Sequence, residues 1–257
     1  MVKKYSTYKF TPNLVEGIIV KRIYNYIMLV KYNNEIIRCH CPTTCSIGNF
    51  VLKDLPCLLS VSDDSKRKTK YTVEAISLDN KEKKNKKWIG INQAKANKYI
   101  EYFLKQGRLD KIFPNKSKKI EREKFFGGSK FDFKIDDTYL EVKTPLQIFY
   151  MNIPKNIKVK KTKFSYGTRY LKHLKDLKKY LKTNKRGVLI FNYMYDAILD
   201  HNFREEDKKK YDKNVEKVID ECRDVEKYGL ESWAVTLKMN HKEIDVDQIK
   251  KVHLLDF

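Results

Sequence analysis

From Glu16 to about Ile76 the chain runs in short apolar stretches broken by turn residues, and after Trp88 the pattern lengthens into helical periods. That change of period constrains the fold more than any other feature of the sequence. Residues 17–20, 26–30, 35–39, 51–52, 57–61 and 71–76 read as strands, and Asn33-Asn34 supply a hairpin turn between the second and third. So many short strands in so short a segment predict a small barrel or sandwich. Residues 80–87 hold no apolar side chain and are expected to form a solvated loop.

Beyond Trp88, Asn92 is placed to cap a helix. Its apolar residues Ala96, Tyr99, Ile100, Phe103 and Leu104 follow a helical period until Gly107 stops it. Strands are expected around 120–125, 130–135 and 139–143, the last two joined by Asp136-Asp137. A helix over 168–181 would bury Leu171, Leu174, Leu177 and Leu181 and turn Lys172, Lys175, Lys179 and Lys182 outward. Residues 187–191 form a continuous apolar run, the mark of a strand covered on both faces. A second amphipathic helix carries Tyr211, Val215, Val218, Ile219, Cys222 and Val225, and 233–237 reads as a further strand. The order is an all-β unit, then α-β-β-β-α-β with an α-β extension, with no internal repeat.

Fifty-five Lys and Arg against thirty-three Asp and Glu leave a net charge of +22 over 257 residues. So much like charge repels itself in a compact state unless a polyanion offsets it, which points first to nucleic acid and second to an anionic membrane surface. A Lys- and Asn-rich background composition is the bland alternative. No run reaches the roughly 18 apolar residues of a membrane span, and Met1 to Tyr5 lack the apolar stretch of a secretory signal, so an intracellular, cytoplasmic protein rather than a secreted or membrane one is the expectation. Five cysteines, four of them within 39–57, make a disulfide framework the wrong reading for such a chain.

The hairpin over 131–143 is where chemistry concentrates. Side chains alternate along a strand, so Glu141 and Lys143 share a face while Leu140 and Val142 enter a core. The adjacent strand can bring Asp132 beside Glu141. Two hard oxygen ligands suit Mg²⁺, which keeps its other positions for water and phosphate oxygens, and a nearby Lys can offset charge building on a phosphorus centre. On spacing alone, however, Asp followed by Glu-x-Lys reads first as an ordinary cross-strand ion pair.

The wider sequence changes that balance. Residues 39–44 (Cys-His-Cys-Pro-Thr-Thr), 60–72, 88–92 with Ala96-Asn97-Lys98, 122–125, 129–133 and 139–144, in that order, resemble the sugar fermentation stimulation protein A family, from about Glu16 to Leu237. The resemblance implies an α/β (α+β) chain with an N-terminal OB-like β-barrel over 1–91. A PD-(D/E)xK nuclease-like α/β domain would follow over 92–257. It implies a metal-dependent nuclease acting on DNA or RNA with Mg²⁺ or Mn²⁺. Asp132 and Glu141 would be the metal ligands, Lys143 the catalytic lysine, and Glu123 a further ligand or supporting acid, with Glu121 beside it. Glu101 on the first helix is a weaker candidate.

The chain departs from the family at two places. Thr43 and Cys45 replace an Asn and a Gly of the His-Cys-Pro-Asn-Thr-Gly loop, and 164–171 lack the Glu, Arg and His of Thr-Glu-Arg-Gly followed by Gln-Lys-His-Leu, while Gly167, Arg169 and Leu171 remain. A zinc site of Cys39, Cys41, Cys45 and His40 is disfavoured, since the spacing lacks the paired Cys-x2-Cys of structural sites. Nucleic-acid contacts are expected from Lys66, Arg67 and Lys68 beside the aromatic face of Tyr71, as OB barrels use, with Lys130 and Arg169 near the nuclease site. The leading expectation is phosphodiester hydrolysis. A non-cleaving DNA-binding regulator on the same fold is its rival, and an adaptor docking on a protein or membrane is a third reading.

Overall fold

A computed structural model describes residues 6–43, 46–48, 50–115, 118–159, 168–183, 185–199 and 213–254. The first third is a closed barrel. Strands β2 (Val15–Tyr24), β3 (Ile27–Tyr32), β4 (Glu35–His40), β5 (Pro56–Val61) and β6 (Tyr71–Ile76) lie in the order β4-β3-β2-β5-β6. Parallel pairing of Cys39 with Tyr71 and of His40 with Thr72 closes the ring. Asn33 and Asn34 both take positive φ (49° and 66°), the conformation a two-residue hairpin needs. Ile19, Met28, Val30, Cys39, Cys57, Leu59 and Val73 fill the interior.

One expected strand does not form. Residues 51–52 make no ladder; Val51 donates to Lys158 O, and Asp54 turns through φ 68°. The only pairing in this stretch is a single bridge between Phe50 and Val159. The segment is a cover over the barrel rather than a stave of it.

After β7 (Ile89–Gly90), which pairs with β6, the chain enters α1 (Gln93–Lys105). Asn92 caps this helix by accepting from Lys95 N, and Gly107 at φ 71° ends it. Gly107 N returns to Leu104 O and Arg108 N to Phe103 O, the pair of bonds that satisfies a helix's last carbonyls. There follow β8 (Ile120–Phe126), β9 (Ser129–Ile135), β10 (Thr138–Lys143), α2 (Thr168–Leu181), β11 (Arg186–Tyr193), α3 (Lys213–Lys227), β12 (Glu231–Met239) and β13 (Glu243–Val252). With the short β1 (Tyr8–Lys9) they form a seven-stranded sheet in the order β1-β13-β12-β11-β10-β9-β8. Strands β10, β11 and β12 run parallel at its centre. The N-terminal segment therefore adds its strand to this second sheet, not to the barrel.

Helix α1 buries Tyr99, Ile100 and Phe103 against one face of the sheet, where Phe133, Leu140, Val188 and Val235 meet them. Helices α2 and α3 cover the other with Leu174, Leu177, Cys222 and Val225. Each such side chain taken from water contributes about 1.5–3 kcal/mol. Leu171, expected among the buried leucines, is only half-buried. No described helix is long and apolar enough to cross a membrane.

Candidate metal and nucleic-acid site

The site forms where the hairpin β8–β9 changes faces. Near its turn, Phe126 packs on Tyr180 of α2, and Ser129 donates to Asp176 of α2. Further along, Arg122 faces Glu101 of α1, and its partner Phe133 lies in the α1 core. The alternation must slip between these two regions. It slips at Glu123, which sits at φ 52°, and at Asp132, the residue opposite it in the register. Pairing of β9 with β10 stops at Phe133 and Leu140, so Val142 N has no strand partner and donates to Asp132 Oδ2 instead (2.8 Å). The strands separate there, and the gap presents Asp132 next to Glu141 and Lys143.

Each polar atom can be followed. Asn97 Nδ2 of α1 donates to Asp132 Oδ1 at 2.8 Å. Lys143 Nζ donates to Glu141 Oε1 at 2.6 Å, and His173 Nδ1 of α2 meets the same oxygen at 2.6 Å. Glu141 is 3% exposed, yet its Oε2 has no hydrogen-bond partner among the described residues. Burial, and then the charge of Glu141, push the Asp132 carboxyl above its usual range. Burial also opposes ionisation of Glu141, but His173 and Lys143 outweigh it and hold that carboxylate below its usual range. Two neighbouring carboxylates are thus driven apart in acidity, a pattern typical of functional sites.

A buried oxygen with no donor beside a second carboxylate is the arrangement a hard divalent ion completes, with water and phosphate oxygens filling its remaining positions. Asp132 and Glu141 fit that requirement. No group of three or more His, Cys, Asp or Glu among the described residues is placed to hold a metal by itself. That includes the cysteines of the barrel: Cys39 and Cys41 are buried in its core, His40 stacks on Tyr26, and Cys45 lies outside the described residues.

Other expected residues sit elsewhere. Glu123 turns to solvent and pairs with Lys130 (2.9 Å), so neither joins the carboxylates directly. Glu121 pairs with Lys124, and Glu101 with Lys105 and Arg122. Lys66, Arg67 and Lys68 are exposed on the loop between β5 and β6, where Arg67 donates to Thr72 Oγ1. Tyr71 is half-buried, its ring against Tyr32, so only part of it faces outward. The side chain of Arg169 and residues 164–167 lie outside the described residues.

Two residues escaped the sequence reading. The region around 164–171 lacks the family's His, but His173 stands one turn after Tyr170 and reaches Glu141; Tyr170 itself lies under Lys143 Nζ, 5.6 Å from the ring centre. Asn97 lies one turn before Glu101, the acid singled out on that helix. Its helix is fixed to the barrel through Glu74 of β6, fully buried, which accepts from Ser60, Asn92 Nδ2 (2.8 Å) and Lys95 Nζ (2.6 Å). Gln93 of the same helix donates to Thr144 O just past Lys143. The barrel thereby positions the helix that orients Asp132.

The class of protein so defined is an OB-like barrel followed by an α/β domain that carries Asp132 and Glu141-x-Lys143 at a parted hairpin. Residues 20–91 match the family model described as the SfsA N-terminal OB domain, and residues 94–243 match the sugar fermentation stimulation protein RE domain. The chain belongs to the sugar fermentation stimulation protein A family. A sugar fermentation stimulation protein homolog of Pelagibacter ubique is 28% identical over 249 residues, 96% of this chain and 99% of that one. A homolog from Synechocystis is 31% identical over 186 residues, 70% of this chain and 74% of the relative. The solved structure of Pyrococcus furiosus SfsA in complex with Ca²⁺ shares the fold, with a TM-score of 0.66 at 19% identity, covering 92% of this chain and 94% of that one.

Proposed function

We propose that the chain is a metal-dependent nuclease that hydrolyses phosphodiester bonds of DNA or RNA. The observation that carries this reading is the buried, donor-free Oε2 of Glu141 beside Asp132, with Lys143 on the same carboxylate. Asp132 and Glu141 would hold Mg²⁺ or Mn²⁺, and the Ca²⁺ in the Pyrococcus furiosus structure supports a divalent ion in this fold. When bound, such an ion supplies Lewis-acid polarisation of a phosphate oxygen and a place for water.

This chain's own residues do the remainder. Asn97 and Val142 N fix both oxygens of Asp132. His173 holds Glu141 Oε1, which leaves the buried Oε2 without a hydrogen-bond partner among the described residues. Lys143 Nζ, 28% exposed, can donate a hydrogen bond to an incoming water or to charge developing on phosphate oxygens. The exposed loop at Lys66, Arg67 and Lys68, together with the excess of positive charge, would draw the backbone of a nucleic acid across the barrel.

The test is incubation of the purified chain with end-labelled DNA and RNA in Mg²⁺, in Mn²⁺ and in chelator. Cleavage that needs the ion supports the reading. Binding without cleavage in any ion would instead favour the DNA-binding regulator.

A further inference from the structure

The turn of the β8–β9 hairpin displays an aromatic ring that the fold does not use. Phe125 is 69% exposed, on the outermost strand of the seven-stranded sheet. Such edges are normally blunted by charge and bulges, as Glu121, Arg122, Glu123 and Lys124 do along the same strand. A phenylalanine, unlike the exposed tyrosines of the barrel, has no hydroxyl to gain from water.

The backbone that carries the ring is held in place. Its carbonyl accepts from Tyr139 Oη (3.0 Å). The turn at Gly127-Gly128 is clamped to α2, since Ser129 Oγ donates to Asp176 (2.6 Å) and Lys172 Nζ donates to Gly128 O. A Cβ on Gly127, at φ 58°, would lie 3.0 Å from Asp176 Oδ1, so the approach is close. The backbone beneath Phe125 is therefore fixed while its side chain is free, which lowers the ordering cost of binding.

Its surroundings name the occupant. Phe126 faces α2, so Phe125 and its register partner Lys130 face the opposite way, on the side of the sheet from which Asn97 reaches Asp132. Lys130 is two residues from Asp132 on one strand, about 7 Å along it. The ring, the Lys130 ammonium with its partner Glu123, and the Asp132 carboxylate thus follow one another along a surface of a chain carrying +22. Rings beside positive charge bind nucleic acid by stacking on bases, whatever their sequence.

We propose that Phe125 is a stacking platform for an unpaired base next to the scissile phosphate, a claim that rests on the nuclease reading above. It predicts a preference for single-stranded or frayed ends, because a base inside a duplex has no free face to offer.

The experiment compares the full-length wild type with Phe125→Leu and Phe125→Trp in Ca²⁺, using short single-stranded DNA and RNA with one 2-aminopurine as the probe. Leucine keeps the apolar bulk and removes the π face; tryptophan restores the face. Affinity should fall about tenfold in the leucine variant, with loss of 2-aminopurine quenching, and return to within about twofold in the tryptophan variant. Thermal unfolding should be the same in all three. Equal affinity of leucine variant and wild type would overturn the proposal, as would a tryptophan variant as weak as leucine. So would a dimer of the wild type that the leucine variant dissociates, since the ring would then belong to a contact between copies. If the wild type binds no nucleic acid, both readings fall. If it binds and stacks but cleaves nothing in Mg²⁺, the nuclease reading falls and with it the scissile phosphate, while the ring's stacking on an unpaired base stands.

Discussion

Replacing Asp132 with Asn should stabilise the protein in the absence of divalent ions and destabilise it, relative to wild type, in their presence. The carboxylate is raised in pKa by burial and by Glu141, so at neutral pH its ionised form costs the folded state free energy. The isosteric amide removes that charge. Both hydrogen bonds survive: the new Oδ1 accepts from Val142 N, and Asn97 presents its oxygen to the new amide after a half-turn about χ2. A single stabilising substitution commonly gives about 0.5 to 2 kcal/mol, which in a chain of this size raises the melting temperature by about 1 to 8 °C. The sign of the pH dependence follows. A folded pKa above the unfolded one means the cost is complete above the folded value and disappears as pH falls through it, so the variant's advantage should fade on acidification. An ion at a hundred times its dissociation constant should stabilise the wild type by about 2.7 kcal/mol and the variant far less. Thermal unfolding in chelator and in millimolar Mg²⁺ or Ca²⁺ reads both effects. A variant that melts below wild type in chelator, or gains as much from the ion, would refute the reasoning.

Three further outcomes are expected. Neutralising Lys66, Arg67 and Lys68 together should weaken nucleic-acid binding in a filter or polarisation assay while leaving the ion-induced shift in melting temperature unchanged, because the loop belongs to the barrel and Asp132 to the other sheet. If about six phosphates are neutralised, the logarithm of the binding constant should fall with a slope near −5 against the logarithm of salt for duplex DNA, or near −4 for a single strand; a slope near zero would remove nucleic acid as the partner. Burial pushes the Cys39 thiol up to about 12 and the Cys57 thiol well above its usual value. At pH 8 only about one Cys39 in ten thousand is thiolate, so alkylation mapped by mass spectrometry should spare both in the native protein and modify them after unfolding.

Much of the architecture was readable because each signal was local. Asn92 capping α1, Gly107 ending it, the Asn33-Asn34 turn and the amphipathic period of α2 all act within a few residues. Strand β13 was missed because charged residues interrupt its apolar ones, and a register shift between Thr236 and Leu237 on its partner disturbs the alternation. The alternation of Ile244 and Val246 was the available clue. The face switch at Glu123 and Asp132 had no local signal at all, since it exists only in the pairing of three strands. It also explains why Glu123, close to Asp132 in register, ends in solvent with Lys130. Asn97, which meets Asp132, lies one helical turn, about 5.4 Å, before Glu101, the weaker candidate on that helix, and how α1 crosses the sheet decides which of the two comes to the site. His173 could have been found: it shares the inward stripe of α2 with Leu177, and a histidine there needs a polar partner.

The central claim is that Asp132, Glu141 and Lys143 act together on a phosphodiester. Single-turnover cleavage of labelled DNA and RNA by wild type, Asp132→Asn and Lys143→Ala in Mg²⁺ tests it most directly. Ion-dependent cleavage by the wild type and a loss of at least about a hundredfold in each variant are expected, with all three proteins folded. Equal cleavage by wild type and variants, or none by the wild type in any divalent ion, would contradict it.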